Sequence, residues 1–160
     1  MEKLAELYKR WKGEAPVSMT ILPEAGSKRK YYRITGNDGE SVIGVVGNSR
    51  DENHTFIYLT KHFTDRKLPV PHILAVDDDE LRYLQTDLGS TSLFDVLRGG
   101  RESGGRYNMR EKQLLTAVIR ELPNIQIRGA RGLDWDVCYP QPEFDVDSVL
   151  FDLNYFKYCF

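Results

Sequence analysis

Gly26-Ser27-Lys28-Arg29-Lys30-Tyr31-Tyr32-Arg33 joins a turn of small residues to a run of cations and aromatics. Backbone N–H groups of such a turn can approach a phosphate closely, and neighbouring Lys or Arg side chains add charge-assisted hydrogen bonds. A solvated basic hairpin tip has the same composition, so the flanking sequence has to separate the two readings. Upstream, Val17, Met19 and Ile21 alternate with Ser18 and Thr20, the period of a strand over residues 17–22. Downstream, residues 30–35 are rich in aromatic and β-branched side chains, which also favour a strand. The stretch is therefore a hairpin turn.

The hairpin extends to a third strand. Asn37-Asp38-Gly39 tolerates positive φ and marks a tight turn into Ser41-Val42-Ile43-Gly44-Val45-Val46. That strand is apolar on both faces and is expected at the centre of a sheet, or covered. Gly44 in its middle signals a bulge or the close approach of another group.

Helices bracket these strands. Leu4, Leu7, Tyr8 and Trp11 recur at helical spacing over residues 2–12, and Gly13 stops the run. A second helix is expected from about Asp51 to Arg66, with Phe56, Leu59 and Phe63 on one face and Asp51 and Glu52 in the first turn, where the helix dipole favours acids. Pro69 and Pro71 end it, and a hairpin follows: residues 72–76, an acidic tip Asp77-Asp78-Asp79-Glu80, and residues 81–86. Four contiguous carboxylates on a short turn do not converge on one ion, so the tip reads as solvated.

The remainder is helical. Thr91 or Ser92 caps a short helix, and Gly99-Gly100-Arg101-Glu102-Ser103-Gly104-Gly105 reads as a flexible connector. Asn108 and Glu111 form a capping pair ahead of Leu114, Leu115, Val118, Leu122 and Ile125, with a kink expected at Pro123. Residues 129–142 are irregular. Asp145 or Asp147 then caps a last helix rich in aromatics, still apolar at Phe160, so the chain is expected to continue into more protein.

Composition bounds the function. The 160 residues are 41% hydrophobic and 29% charged, with 22 basic and 24 acidic residues and a formal charge of -2. No face-wide cationic excess is available to coat nucleic acid. Cys138 and Cys159 make neither a disulfide framework nor a zinc site, and a reducing cytoplasm is the expected compartment. No run of about 18 apolar residues suggests a membrane span. His54, His62 and His72 lack metal-ligand spacing, so no metal site is expected within this chain.

Four blocks of sequence together resemble one family. Gly26-Ser27-x-Arg29-x-Tyr31-Tyr32-Arg33, Leu68-Pro69-Val70-Pro71-x-Ile73-Leu74-Ala75-Val76, Leu84-Gln85-Thr86-Asp87-Leu88-Gly89-x-Thr91-Ser92-Leu93 and Asp152-Leu153-Asn154-Tyr155-Phe156 are similar to the aminoglycoside phosphotransferase and choline kinase superfamily, in its branch of bacterial sugar or small-molecule kinases similar to cell-wall amino-sugar kinases. The resemblance implies an α+β fold. It would comprise a protein-kinase-like N-terminal lobe over residues 1–89, with a roughly five-stranded antiparallel sheet, a connector over 90–108, and the opening helices of a C-terminal lobe over 109–160. It implies an ATP-dependent phosphotransferase acting on a hydroxyl of a sugar, amino sugar or amino alcohol. Gly26, Ser27, Arg29 and Arg33 would face the ATP phosphates. Gln85, Thr86, Asp87 and Leu88 would form the hinge against adenine, with Ile34, Val45 and Leu84 either walling the ring or simply filling the core. Asp152 and Tyr155 would lie on the acceptor side, or merely pack a helix.

Two departures qualify the resemblance. The third strand lacks the Lys that such kinases use to hold the phosphates, leaving Glu52 without its usual partner; either Arg29 or Arg33 replaces that cation, or nucleotide binding is weak. No catalytic-loop Asp and Asn pattern follows Gly105, so the base and the magnesium ligands are expected beyond this chain, which alone should be inactive. The alternatives are a non-catalytic kinase-like binding or regulatory module, and a homodimer formed through the aromatic C-terminal segment.

Overall fold

Ser41–Val46 (β3) lies at the middle of a five-stranded antiparallel sheet, as its two apolar faces require. The computed structural model describes residues 1–23 and 28–159. Ser18–Ile21 (β1) pairs with Lys30–Thr35 (β2), β2 with β3, β3 with Arg82–Thr86 (β5), and β5 with Ile73–Val76 (β4), giving the order β1-β2-β3-β5-β4. The fold is α+β. A register shift between Ile73 and Ala75 puts a bulge in the edge strand β4.

Each face of the sheet carries one helix. Glu2–Lys12 (α1), closed by Gly13 in the left-handed conformation at φ 88°, places Leu4, Leu7 and Tyr8 against Tyr32, Ile34, Val42 and Leu84. Arg50–Asp65 (α2), capped by Ser49, places Ile57 and Phe56 against Ile43, Val45 and Tyr83 on the opposite face. Side-chain alternation assigns the rest: Tyr31, Arg33, Ser41, Gln85 and Asp87 share the α2 face. Val17, just before the edge strand β1, and Ile21, its last residue, stay exposed because α1 packs on β3, β4 and β5.

Gly44 marks a close approach, with no register shift on either side of it. A Cβ there would lie 2.6 Å from Ile34 Cδ1 and 2.9 Å from Leu4 Cδ2, both on fully buried residues. Gly44→Val is therefore expected to destabilise the chain by roughly 1–3 kcal/mol or more through overpacking. A urea melt unchanged from that of the wild type would contradict the packing of α1 on β3.

Two expectations need correction and two are sharpened. Phe56, on the expected Phe56, Leu59 and Phe63 face, packs on the sheet, but the buried residues of α2 are Asn53, Thr55, Ile57, Thr60 and His62. The helix is covered on two sides, and polar side chains satisfied by hydrogen bonds take up much of the buried area. The acidic tip is not merely solvated. Asp77 pairs with Arg82 at 2.8 Å and Arg10 at 2.5 Å, Asp79 with Arg82 at 2.5 Å, and Glu80 with Arg50 and His54. The Gly-rich stretch read as a flexible connector contains a helical turn, Arg98–Glu102 (α4). Gly100 lets the Tyr107 ring approach where a Cβ would sit 2.0 Å from it, and Gly100 N–H donates to Glu111 Oε1 at 2.9 Å. Of the two readings open for Ile34, Val45 and Leu84, the core reading fits: Ile34 and Leu84 face α1 and Val45 faces α2, all three fully buried.

The remaining helices are Leu93–Val96 (α3), Met109–Pro123 (α5) and Val146–Cys159 (α6). Capping boxes open α3 at Ser92 with Asp95, and α5 at Asn108 with Glu111. Past Pro123 the helix widens into a π-helical turn, Asn124–Arg128, in place of a break. Asp145 accepts from Ser148 N–H at the start of α6, whose Val149, Leu150, Phe151 and Leu153 are all exposed. Among the described residues no helix is long and apolar enough to cross a membrane.

Candidate functional site

Two clusters of charge sit on the α2 face of the sheet, at opposite ends of β2. Gly26 and Ser27 lie outside the described residues. Arg29, just after them, is held on four sides. Its Nε donates to Asn53 Oδ1 at 3.2 Å, its Nη2 donates to the Glu52 carbonyl at 3.0 Å and pairs with Glu52 Oε1 at 3.0 Å, and its guanidinium lies 5.2 Å from the centre of the Phe56 ring. Nη1 has no acceptor among the described residues. Glu52 is in the first turn of α2, where the helix dipole favours a carboxylate. Asn53 is fully buried and its Nδ2 donates to the Glu80 carbonyl at 2.8 Å, so the amide that grips Arg29 is itself fixed by the β4–β5 turn.

The cluster has a buried floor. Tyr83 stacks on Phe56 with ring centroids 5.4 Å apart, and burial pushes its hydroxyl well above the usual range. The Tyr83 hydroxyl and Gln85 Oε1 are both buried on this face and have no hydrogen-bond partner among the described residues.

At the other end, Arg33 donates to Asp87 through Nε at 2.6 Å and Nη2 at 3.0 Å, a two-pronged pair. Ser41 Oγ donates to Asp87 Oδ2 at 2.7 Å and Gly89 N–H to Asp87 Oδ1 at 2.8 Å. With this many donors around a carboxylate that is 6% exposed, its pKa drops to about 2, the Arg33 hydrogen bond being the largest cause and burial opposing it. Four residues separate Arg29 from Arg33, or about 13 Å along a strand.

Each expected site residue among the described ones therefore has a place. Arg29 and Glu52 come together. Arg33 and Asp87 also come together, so those two side chains satisfy each other. Gln85 and Thr86 lie within the ladder; Thr86 N–H donates to the His72 carbonyl, and Thr86 Oγ1 accepts from His72 N–H. Of the hinge residues, Leu88 keeps its backbone N–H and carbonyl without a hydrogen bond among the described residues, and its side chain is exposed. Asp152 lines a cavity of about 710 Å³ with Glu143, Phe144, Asp147 and Phe151, between α6 and the loop before it, and Tyr155 is exposed on the same helix. Asn53 and Tyr83 escaped the sequence reading, and Phe56 entered it only as part of a helix face: Asn53 in a helix interior reads as a weak helix former, and only its burial reveals its role.

A scan against protein-family models and a search of the curated proteins each gave no match.

Proposed function

We propose that this chain carries the nucleotide-binding part of a small-molecule phosphotransferase, with the N-terminal sheet as a kinase-like lobe. The observation that carries the reading is the Arg29–Glu52 pair: a cation at the entry to β2, two residues past Ser27 in sequence, held by a carboxylate in the first turn of α2. Phosphoryl transfer on this architecture depends on a cation–carboxylate pair between sheet and helix to place the phosphates, and Arg29 supplies the cation that β3 lacks. A guanidinium prearranged by Asn53, Glu52 and Phe56 loses little freedom on meeting a phosphate. In this reading the turn amides and Arg29 Nη1 face the phosphates of ATP, the Leu88 backbone meets the adenine edge, and Arg33 with Asp87 stiffens the hinge. Magnesium would arrive on the phosphates. Among the described residues no group of three or more His, Cys, Asp and Glu side chains could hold the ion. The acceptor, a sugar, amino sugar or amino alcohol, would approach from the helical side.

A second reading, a non-catalytic binding or regulatory module, is favoured by the exposure of Val149, Leu150, Phe151 and Leu153 along α6, more apolar surface than an isolated helix normally leaves in water. Calorimetric titration with magnesium-ATP separates the two. The wild type is expected to release heat at micromolar to millimolar nucleotide, and Arg29→Ala to weaken binding at least tenfold, with Arg29→Lys recovering part of it. Absence of heat from the wild type at millimolar ATP rules out the first reading and leaves the second.

A further inference from the structure

The opposite side of α2 makes a second set of contacts that the nucleotide reading leaves unused. Thr55, Tyr58, His62 and Arg66 follow one another at helical spacing, and each reaches backbone of the segment 128–139. Thr55 Oγ1 donates to the Val137 carbonyl at 2.6 Å and accepts from Tyr139 N–H at 3.0 Å. The Tyr58 hydroxyl accepts from Asp134 N–H at 2.8 Å, and His62 Nε2 lies 2.7 Å from the Gly129 carbonyl. Arg66 Nε donates to the Arg131 carbonyl at 2.9 Å, and Arg128 Nη2 returns a bond to the Arg66 carbonyl at 3.0 Å. Gly129 fits because a Cβ there would press on Phe63 and Leu68.

At 100° per residue, the stripe through Thr55, Tyr58, His62 and Arg66 lies roughly opposite the one through Asn53, Phe56, Ile57 and Thr60, the stripe that holds Phe56 and Ile57 on the sheet. The helix is thus gripped from both sides. On the sheet side few apolar side chains hold it, since Asn53 and Thr60 take buried positions. On the other side side-chain hydrogen bonds hold it, three of its four contact residues reaching backbone carbonyls. Glu52 and Asn53, the residues that fix Arg29, sit one turn or less from Thr55.

We propose that Thr55, Tyr58 and His62 are positioning residues: by fastening α2 to the 128–139 strap they set the placement of Glu52 and Asn53 and, through these, of the Arg29 guanidinium. Because the strap is read through its backbone, its path sets the pair and most of its side chains do not. The consequence for nucleotide affinity rests on the reading given above; the coupling to Arg29 does not.

The test follows the Arg29 Nε–H proton, which is hydrogen-bonded to Asn53, by NMR in the full chain. In Thr55→Val with Tyr58→Phe, its exchange with water is expected to accelerate at least tenfold, and in the gentler single variant Tyr58→Phe about threefold, with far-UV circular dichroism unchanged. Asp136→Ala alters a strap side chain outside the clamp and should leave the rate as it was. If the strap amides of Asp134 and Tyr139 lose protection while Arg29 Nε–H keeps the wild-type rate, the proposal is overturned; the single variant decides the matter should the double variant fold poorly. In a parallel titration the double variant should bind magnesium-ATP at least fivefold more weakly. A wild type that binds no ATP overturns the nucleotide reading alone, and the Nε–H rates still decide the positioning role.

Discussion

Asp87→Ala is expected to lower the unfolding free energy by roughly 2–4 kcal/mol, read as a fall in the urea midpoint at constant slope. The carboxylate is 6% exposed and satisfies Arg33, Ser41 and the Gly89 amide at once, so its removal leaves a partly buried guanidinium and a hydroxyl without their acceptor. The pH dependence gives an independent check. A carboxyl held near pKa 2 in the folded chain, below its ordinary 3.8, binds its proton more weakly than in the unfolded chain. Its contribution is therefore fully present above about pH 4 and is lost as the pH falls toward 2, amounting to about 2 kcal/mol. Asp77 and Glu80 also titrate low, but they do so in both proteins and cancel from the difference. The stability curves of wild type and Asp87→Ala should converge between pH 4 and pH 2. Curves that stay parallel across that window would show that Asp87 is not held by Arg33.

What could be read in the sequence is what depends on near neighbours. The bounds of β2 and β3 follow from alternation and the Asn37-Asp38-Gly39 turn, and the cap of α5 from Asn108 and Glu111 three residues apart, while the cap of α3 is narrowed only to Thr91 or Ser92. The central place of β3 follows from its being apolar on both faces. The face of α2 emerged only in part, through Phe56, because Asn53, Thr55, Thr60 and His62 carry polarity into buried positions and hide the period. The partners of the charges were hidden for another reason. Arg29 meets Asn53 across 24 residues and Arg33 meets Asp87 across 54, pairings fixed by sheet order and not by local spacing. Sequence left Arg29 and Arg33 equivalent as substitutes for the missing Lys. They differ because Arg29 lies beside the first turn of α2 and Arg33 lies beside the end of β5.

Asn53→Ala is expected to cost about 2–4 kcal/mol, a large effect for a residue with neither charge nor apolar bulk. Its amide is fully buried at the sheet–helix junction. Nδ2 donates to the Glu80 carbonyl and Oδ1 accepts from Arg29 Nε, so truncation leaves both partners short of a hydrogen bond and opens a small void. Asn53→Leu separates those terms. Leucine fills the volume and restores no hydrogen bond, so if packing dominates, Leu should recover most of the loss, and if the unpaired carbonyl and guanidinium dominate, Leu should be no better than Ala. The geometry favours the second outcome, because Gly47 already lies so close that a Cβ on it would be 2.5 Å from the Asn53 amide, a fit made to a planar group. Gly47→Ala should then reproduce the Asn53 defect from the other side of the contact, by pushing the amide away from Glu80 and Arg29 without removing an atom from either. A Gly47→Ala chain as stable as the wild type would mean that the amide has room to shift and that Arg29 is not fixed through it.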